Sequence, residues 1–174
     1  MNTSKYIVRK AREDEFEKVG ELMVQVYSQL EGFPKQTEQP EYYKMLANIG
    51  EITTKPYTDL LIAVSQENNI AGAVVYFDDM SSYGSGGTAT QEKNASGFRL
   101  LAVDPDERGK GIGKLLIHDC IDRAKNNGQK QVIIHSTDFM KIAWKMYEKI
   151  GFKRSEDLDF MQGNLQVYGF RLKL

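Results

Sequence analysis

The sequence predicts an α/β protein built on a mixed sheet, and three observations carry that prediction. An apolar run, Leu100–Val103, leads into a glycine-rich turn, then a segment with helical apolar spacing, then a second apolar run at Gln131–His135. Strand, helix and strand in that order force a parallel pair with a right-handed crossover. Upstream, Leu60–Val64 and Ile70–Phe77 read as two further strands, joined by the turn-forming tripeptide Glu67-Asn68-Asn69. Helical periods interleave with these runs along the chain, as they do when helices cover a sheet.

In chain order, Tyr6–Arg9 is short, contains Ile7 and Val8, and suits an opening edge strand. From about Glu13 the spacing of Phe16, Val19, Leu22, Met23, Val26, Tyr27 and Leu30 gives a helix one apolar face, and Gly32-Phe33-Pro34 stops it. Pro40 suits the first turn of a second helix carrying Tyr43, Met45, Leu46 and Ile49. Ala71-Gly72-Ala73, inside the strand Ile70–Phe77, is small enough to let another backbone come near. Asp78–Ala95 is the one low-complexity stretch, long for a connection; a disordered excursion and a substrate lid are equally expected there. The strand Gly97–Val103 and a helix from Lys110 to about Asn126 follow, stopped by Gly128 before Gln131–His135. A fourth helix, about Lys141–Ile150, ends at Gly151 in the place of a C-cap, and Phe152-Lys153 and Leu165–Leu174 close the chain as strands. No repeat, linker or second domain is visible, so residues 1–174 are expected to form one domain.

At 174 residues, 41% apolar and 27% charged, the composition is that of a soluble globular domain. Lys and Arg number 23 against 24 Asp and Glu, which leaves no basic field for nucleic acid. No apolar run approaches the roughly 20 residues of a membrane span, and Lys5, Arg9, Lys10 and Arg12 interrupt any signal peptide. The single cysteine excludes an internal disulfide and suits a reducing cytoplasm; Cys120 falls on an apolar helix face as a small core residue. Only two histidines, His118 and His135, are present and no Cys/His/carboxylate cluster, so no metal is expected.

The chemistry-bearing stretch is Asp104-Pro105-Asp106-Glu107-Arg108-Gly109-Lys110-Gly111-Ile112-Gly113-Lys114. A glycine-rich strand-to-helix turn presents free backbone N–H groups and the positive end of a helix dipole, which together hold a phosphate. A P-loop is excluded because three residues, not four, separate Gly109 from Gly113, and Leu115 stands where a Mg²⁺-binding hydroxyl belongs. The dinucleotide pattern fails because Lys114 replaces its third glycine. R-x-x-G-x-G fits, as Arg108, Gly111 and Gly113. This resembles the pyrophosphate-binding turn of the GNAT superfamily of acyl-CoA-dependent N-acetyltransferases, and Leu100–Pro105 looks like that family's central strand. A second segment, Ala143-Trp-Lys-Met-Tyr147-Glu-Lys-Ile-Gly151-Phe152, is similar to the family's A-x-x-x-Y-x-x-x-G-F segment, in the right order and at about the right distance.

The resemblance covers nearly the whole chain. It implies a three-layer fold with a mixed sheet of about six to seven strands, helices on both faces, and parallel fourth and fifth strands that splay apart around the pantetheine arm of acetyl-CoA. Leu101, Ala102 and Val103 would line that arm. Arg108, Gly109, Lys110, Gly111, Ile112 and Gly113 would hold the pyrophosphate, with Lys114 and Lys145 as further cations. The implied reaction is direct attack of a primary amine, on a small molecule or peptide, upon the thioester. A main-chain N–H near Leu101 would polarise the carbonyl and Tyr147 would protonate the departing thiolate. Two features depart from the family pattern. Met140 stands where an asparagine is usual, and 96–103 carries no carboxylate to act as base, leaving Asp78, Asp79, Glu31 and Glu92 as candidates. Tyr27, Phe33 and Tyr83, with Tyr42, Tyr43 and Phe160 nearby, are the candidate acceptor contacts. A homodimer is left open, and the rival expectation is a catalytically silent acyl-CoA-binding sensor.

Overall fold

A computed structural model describes residues 5–174 of the chain. Twelve elements of regular structure run β1 (Tyr6–Lys10), α1 (Phe16–Ser28), α2 (Pro40–Ala47), β2 (Thr58–Ser65), β3 (Ile70–Phe77), β4 (Ala95–Val103), α3 (Ile112–Asn126), β5 (Gln131–Ser136), α4 (Lys141–Ile150), β6 (Lys153–Arg154), β7 (Phe160–Gln162) and β8 (Leu165–Lys173). The hydrogen-bonded strand order is β1-β2-β3-β4-β5-β8-β6, with β7 paired to β8, so the mixed sheet has eight strands rather than the six or seven expected. The extra strand is β7, three residues long and turned onto β8 through Gly163 at φ +60°. A strand that short has no periodicity to read.

Two compact units make up the chain. The first holds the N-terminal residues to Lys55, Asp59–Val75 and Leu100–Asp119. There β1 lies antiparallel to β2, from Tyr6 opposite Ser65 to Lys10 opposite Leu61. Val19, Leu22, Met23, Val26 and Tyr27 form the buried face of α1, and a Cβ on Gly20 would stand 2.0 Å from the Ala47 carbonyl oxygen. That glycine is what lets α1 and the end of α2 touch. Gly72 serves the same end in β3: a Cβ there would meet the Ala102 carbonyl oxygen at 2.9 Å, the close backbone approach its small neighbours predict.

The second unit holds Pro56–Thr58, Tyr76–Arg99 and Cys120–Leu174. Its centre is β5, antiparallel to β8 from Gln131 opposite Lys173 to Ser136 opposite Tyr168. On the other side β5 runs parallel to β4, but only Ala95, Ser96 and Gly97 pair, with Gln131, Val132 and Ile133. The 78–94 stretch is neither disordered nor a loose lid. It forms two 3₁₀ turns, Met80–Ser82 and Ala89–Gln91, anchored by Met80, Tyr83 and Ala89, all fully buried. Its Ser/Gly-rich composition concealed three core residues spaced too irregularly to show a period. Gly151 caps α4 at φ +119°, donating to the Tyr147 and Glu148 carbonyls, as its position predicts.

Candidate active site

The glycine turn sits in the first unit. The Asp104 carboxylate accepts from the Asp106 N–H at 2.9 Å and closes a 3₁₀ turn over Pro105–Glu107. Gly109 and Gly111 then take φ +79° and +82°, and α3 begins at Ile112, two residues later than the spacing of Lys110 predicts. L-residues avoid that backbone region, so the glycines set the path of the turn. Nothing lies within 4 Å of the point a Gly109 Cβ would occupy, which leaves room for a ligand against the backbone. Ile112 and Leu116 are buried and hold the first turn of α3, while Arg108, Gly109, Lys110 and Lys114 are exposed. Lys110 is already engaged: Glu107 accepts from its Nζ at 2.8 Å and from the Tyr6 hydroxyl at 2.6 Å. Those contacts hold the Glu107 carboxyl below its ordinary value, Lys110 first and Tyr6 second. Arg108 has no ion pair among the described residues.

After the glycine turn, β4 is the second distinctive feature. Leu100 has φ +60° in the middle of this strand, a conformation that costs a non-glycine residue about 1–3 kcal/mol. Beyond it Leu101 and Val103 are half-buried and Ala102 is buried. The Tyr27 hydroxyl donates to the Leu101 carbonyl at 3.4 Å. In the second unit, β5 continues for three residues past its last β4 partner, Ile133. Ser136, at the end of that extension, has a buried hydroxyl with no hydrogen-bond partner among the described residues. An orphaned hydroxyl on a strand that has lost its parallel neighbour fits a ligand carrying amide groups, since buried polar groups are normally paired.

Tyr147 lies on α4 with 6% of its surface exposed, edge-on to Phe98 and Phe152, each with its ring centre 5.9 Å away. Burial raises its phenol well above the ordinary value, with Cys120 a lesser cause, so the hydroxyl stays protonated. It makes no hydrogen bond among the described residues. Met140 is the N-cap of α4 and supplies no side-chain bond to the helix end.

The aromatic residues divide into two groups. In the first unit Tyr27, Phe33, Tyr42 and Tyr43 pack with ring centres 5.7 to 6.3 Å apart. In the second unit Tyr83 and Phe160 flank His135, at 5.6 and 5.2 Å. The Tyr83 ring is fully enclosed, and its hydroxyl and His135 Nδ1 are 2.9 Å apart. His135 Nε2 lies 2.9 Å from the Leu158 carbonyl, which can only accept, so Nε2 carries the hydrogen and Nδ1 accepts from Tyr83. Burial, and then the Arg99 charge, lowers the His135 pKa, and the ring is neutral. Arg99 donates from Nη1 to the Tyr83 carbonyl at 2.9 Å and lies 5.6 Å from the centre of its ring.

Three of the four candidate bases are occupied. Asp78 accepts from Tyr76 and Asn127, Asp79 from Ser81, and Glu92 from Arg171, while Glu31 is exposed. Sequence reasoning passed over Arg99, His135 and Ser136. A charged residue inside the apolar run of β4 was the available signal for Arg99. His135 and Ser136 gave none, because their partners lie far away in the chain. No group of metal-ligating side chains occurs among the described residues, and among them no helix is long and apolar enough to cross a membrane.

A mixed sheet whose parallel pair comes apart after three residues, with a positive-φ glycine turn opening the crossover helix, defines the class: a mixed α/β fold with helices between its strands. The chain belongs to the GNAT acetyltransferase family, whose acetyltransferase (GNAT) domain matches residues 17–174. It is 29% identical to the uncharacterized N-acetyltransferase YjgM of Escherichia coli K12 over 124 residues, 70% of this chain and 72% of that one. The GNAT acetyltransferase from Staphylococcus aureus Mu50 superposes with a TM-score of 0.72 at 18% identity, covering 97% of this chain and 98% of that one. The Salmonella typhimurium YncA structure, which contains its cofactor acetyl-CoA, gives 0.65 at 12% identity, covering 97% and 94%. The matches to several other curated relatives span only about a quarter, 23–29%, of those proteins' length.

Proposed function

We propose that this protein transfers an acetyl group from acetyl-CoA to a primary amine on a small molecule or peptide. The observation that carries the reading is Tyr147: a buried phenol, held protonated, whose hydroxyl makes no hydrogen bond among the described residues. In the proposed step the neutral amine attacks the thioester carbonyl. The N–C bond forms as the C–S bond breaks, the sulfur leaves with the electron pair, and Tyr147 gives it a proton. The attacking nitrogen loses its own proton to water or to a base not among the tied carboxylates. Strain at Leu100 supports a main-chain N–H of β4 aimed at the developing oxyanion, because a positive φ turns a peptide out of the strand's regular alternation.

The glycine turn would take the pyrophosphate on its backbone N–H groups, with Arg108, which has no ion pair among the described residues, adding charge and Lys110 shared with Glu107. Leu101–Val103 and Ser136 would meet the pantetheine amides. Acetyl-CoA supplies the activated acyl group, and no metal is invoked. Tyr27 and Phe33 are the proposed acceptor contacts. Tyr83, fully enclosed, would act through the residues it holds. We take the chain as one catalytic domain working in the cytoplasm.

Release of free thiol from acetyl-CoA, measured across a panel of amines, tests the reading. Wild-type protein should turn over at least one amine, and Tyr147→Phe should lose most of that rate while binding CoA as before. Occupation of Asp78, Asp79 and Glu92 favours a second reading, a silent acyl-CoA-binding domain. Tight CoA binding with no amine acetylated, and no effect of Tyr147→Phe, would establish that one instead.

A further inference from the structure

Two half-buried arginines, Arg9 and Arg171, are matched to carboxylates, and so is the more exposed Arg154. Arg9 is paired with Glu15 at 2.6 Å, Arg154 with Asp159 at 2.8 Å, and Arg171 with Glu92 at 2.5 Å and with Asp157 as well. Arg99 is half-buried too, yet no carboxylate among the described residues pairs with it. A guanidinium offers five N–H donors, and the contact Arg99 makes is with one neutral acceptor, the Tyr83 carbonyl. The His135 ring beyond Tyr83 has both nitrogens committed to Tyr83 and Leu158, and an imidazole carries no negative charge to balance a guanidinium. Removing a cation from water without an anion is costly, and the usual resolution is a partner.

The position of Arg99 says where that partner comes from. It stands two residues past Gly97, the last β4 residue paired with β5, and directly before the strained Leu100. Gly97 faces the Met80–Tyr83 segment, since a Cβ there would meet Tyr83 at 2.9 Å and Met80 at 3.0 Å. Arg99 shares that face, opposite the one on which Phe98 meets Tyr147. The cation therefore lies where β4 has left its parallel partner, on the side away from the proposed acid.

We infer that Arg99 is a specificity-determining residue that receives an oxyanion carried by the acceptor, so the amine acetylated here also bears a carboxylate or a phosphate. The assignment rests on the acetyl-transfer reading for the word acceptor, and on Arg99 alone for the anion. A planar fork binds either oxyanion with two parallel hydrogen bonds, and the enclosed Tyr83 ring fixes the fork in place.

The test uses matched twins. α-Amino acids are compared with their carboxamides, and glucosamine 6-phosphate with glucosamine, so that the first pair reads a carboxylate and the second a phosphate. Binding to CoA-loaded protein is measured by calorimetry and turnover by thiol release from acetyl-CoA. In at least one pair the anionic twin should be favoured by about 10-fold or more. Arg99→Gln should cut its binding and its kcat/KM by about 10- to 100-fold. CoA affinity should stay within about twofold, which also reports that the variant is folded, and Arg99→Lys should recover part of the preference. Equal or better use of the neutral twins, a preference that survives Arg99→Gln, or no binding of any twin would overturn the assignment. If the loaded protein binds anionic twins through Arg99 but acetylates nothing, the acetyl-transfer reading falls and the anion site stands. If it acetylates neutral twins equally well, the reverse holds.

Discussion

The glycine turn and the cluster around His135 are the two regions on which the proposed binding rests, and they are built in opposite ways. The turn is local. Asp104, Gly109, Gly111 and Ile112 lie within nine positions of one another, and its shape comes from backbone angles that only glycine takes cheaply. The cluster gathers Tyr83, Arg99, His135 and the Leu158–Phe160 segment from four separate stretches, and only packing on β4 and β5 puts them together. A backbone-made site tolerates change in its side chains, whereas a side-chain-made site depends on every member.

The largest effect expected is on neither region. Tyr147→Phe should lower kcat by about 10²- to 10³-fold with CoA affinity unchanged, if the phenol is the acid. Within the turn, Gly111→Val should weaken CoA binding by about 100-fold in titration calorimetry, because a β-branched residue resists φ +82° and its methyls crowd the backbone that meets the phosphate. Gly109→Ala, with open space around its new methyl, should show the backbone strain alone, about 1–2 kcal/mol. Equal losses from the two would mean that conformation, and not ligand approach, governs the turn.

The cluster makes a weaker but different demand. Tyr83→Phe strands the His135 Nδ1 acceptor and should cost about 1–3 kcal/mol of stability, read by chemical denaturation, without altering CoA affinity. Because the His135 pKa is depressed on folding, the unfolded chain binds the proton more readily. Stability is then full above about pH 6.5 and declines as the pH falls through the folded value. Replacing His135 by Gln should flatten that part of the curve. The smallest change is expected at Lys110→Met. Its pair with Glu107 is solvent-exposed, and the loss should stay within about 0.5 kcal/mol of stability.

The contrast also explains what could be read in advance. β3 and α4 run from end to end as their spacing predicts, and α2 opens on the proline that marks it. Each of those signals sits inside the element it defines. α3 starts two residues later than expected because Lys110 is a good helix former by itself, while Gly111, at φ +82°, turns the chain before the helix begins. The 78–94 segment looked featureless because Met80, Tyr83 and Ala89 are anchors without a period. At the candidate site, glycines and Tyr147 carry their meaning in spacing. Arg99 does not: a lone arginine in a strand becomes informative only once the carboxylates near it are accounted for.

The short β4–β5 register has a consequence for how the protein should be handled. A strand that loses its neighbour midway presents the same row of backbone groups as the rim of a sheet, and such rims recruit other chains. Leu100–Val103 is apolar and prone to extended structure, which makes it the kind of segment that joins a foreign strand if nothing else claims it. A donor lying along β4 would act as the missing strand and as a guard against self-association. Free CoA in the buffer would then be a solubility agent as much as a ligand.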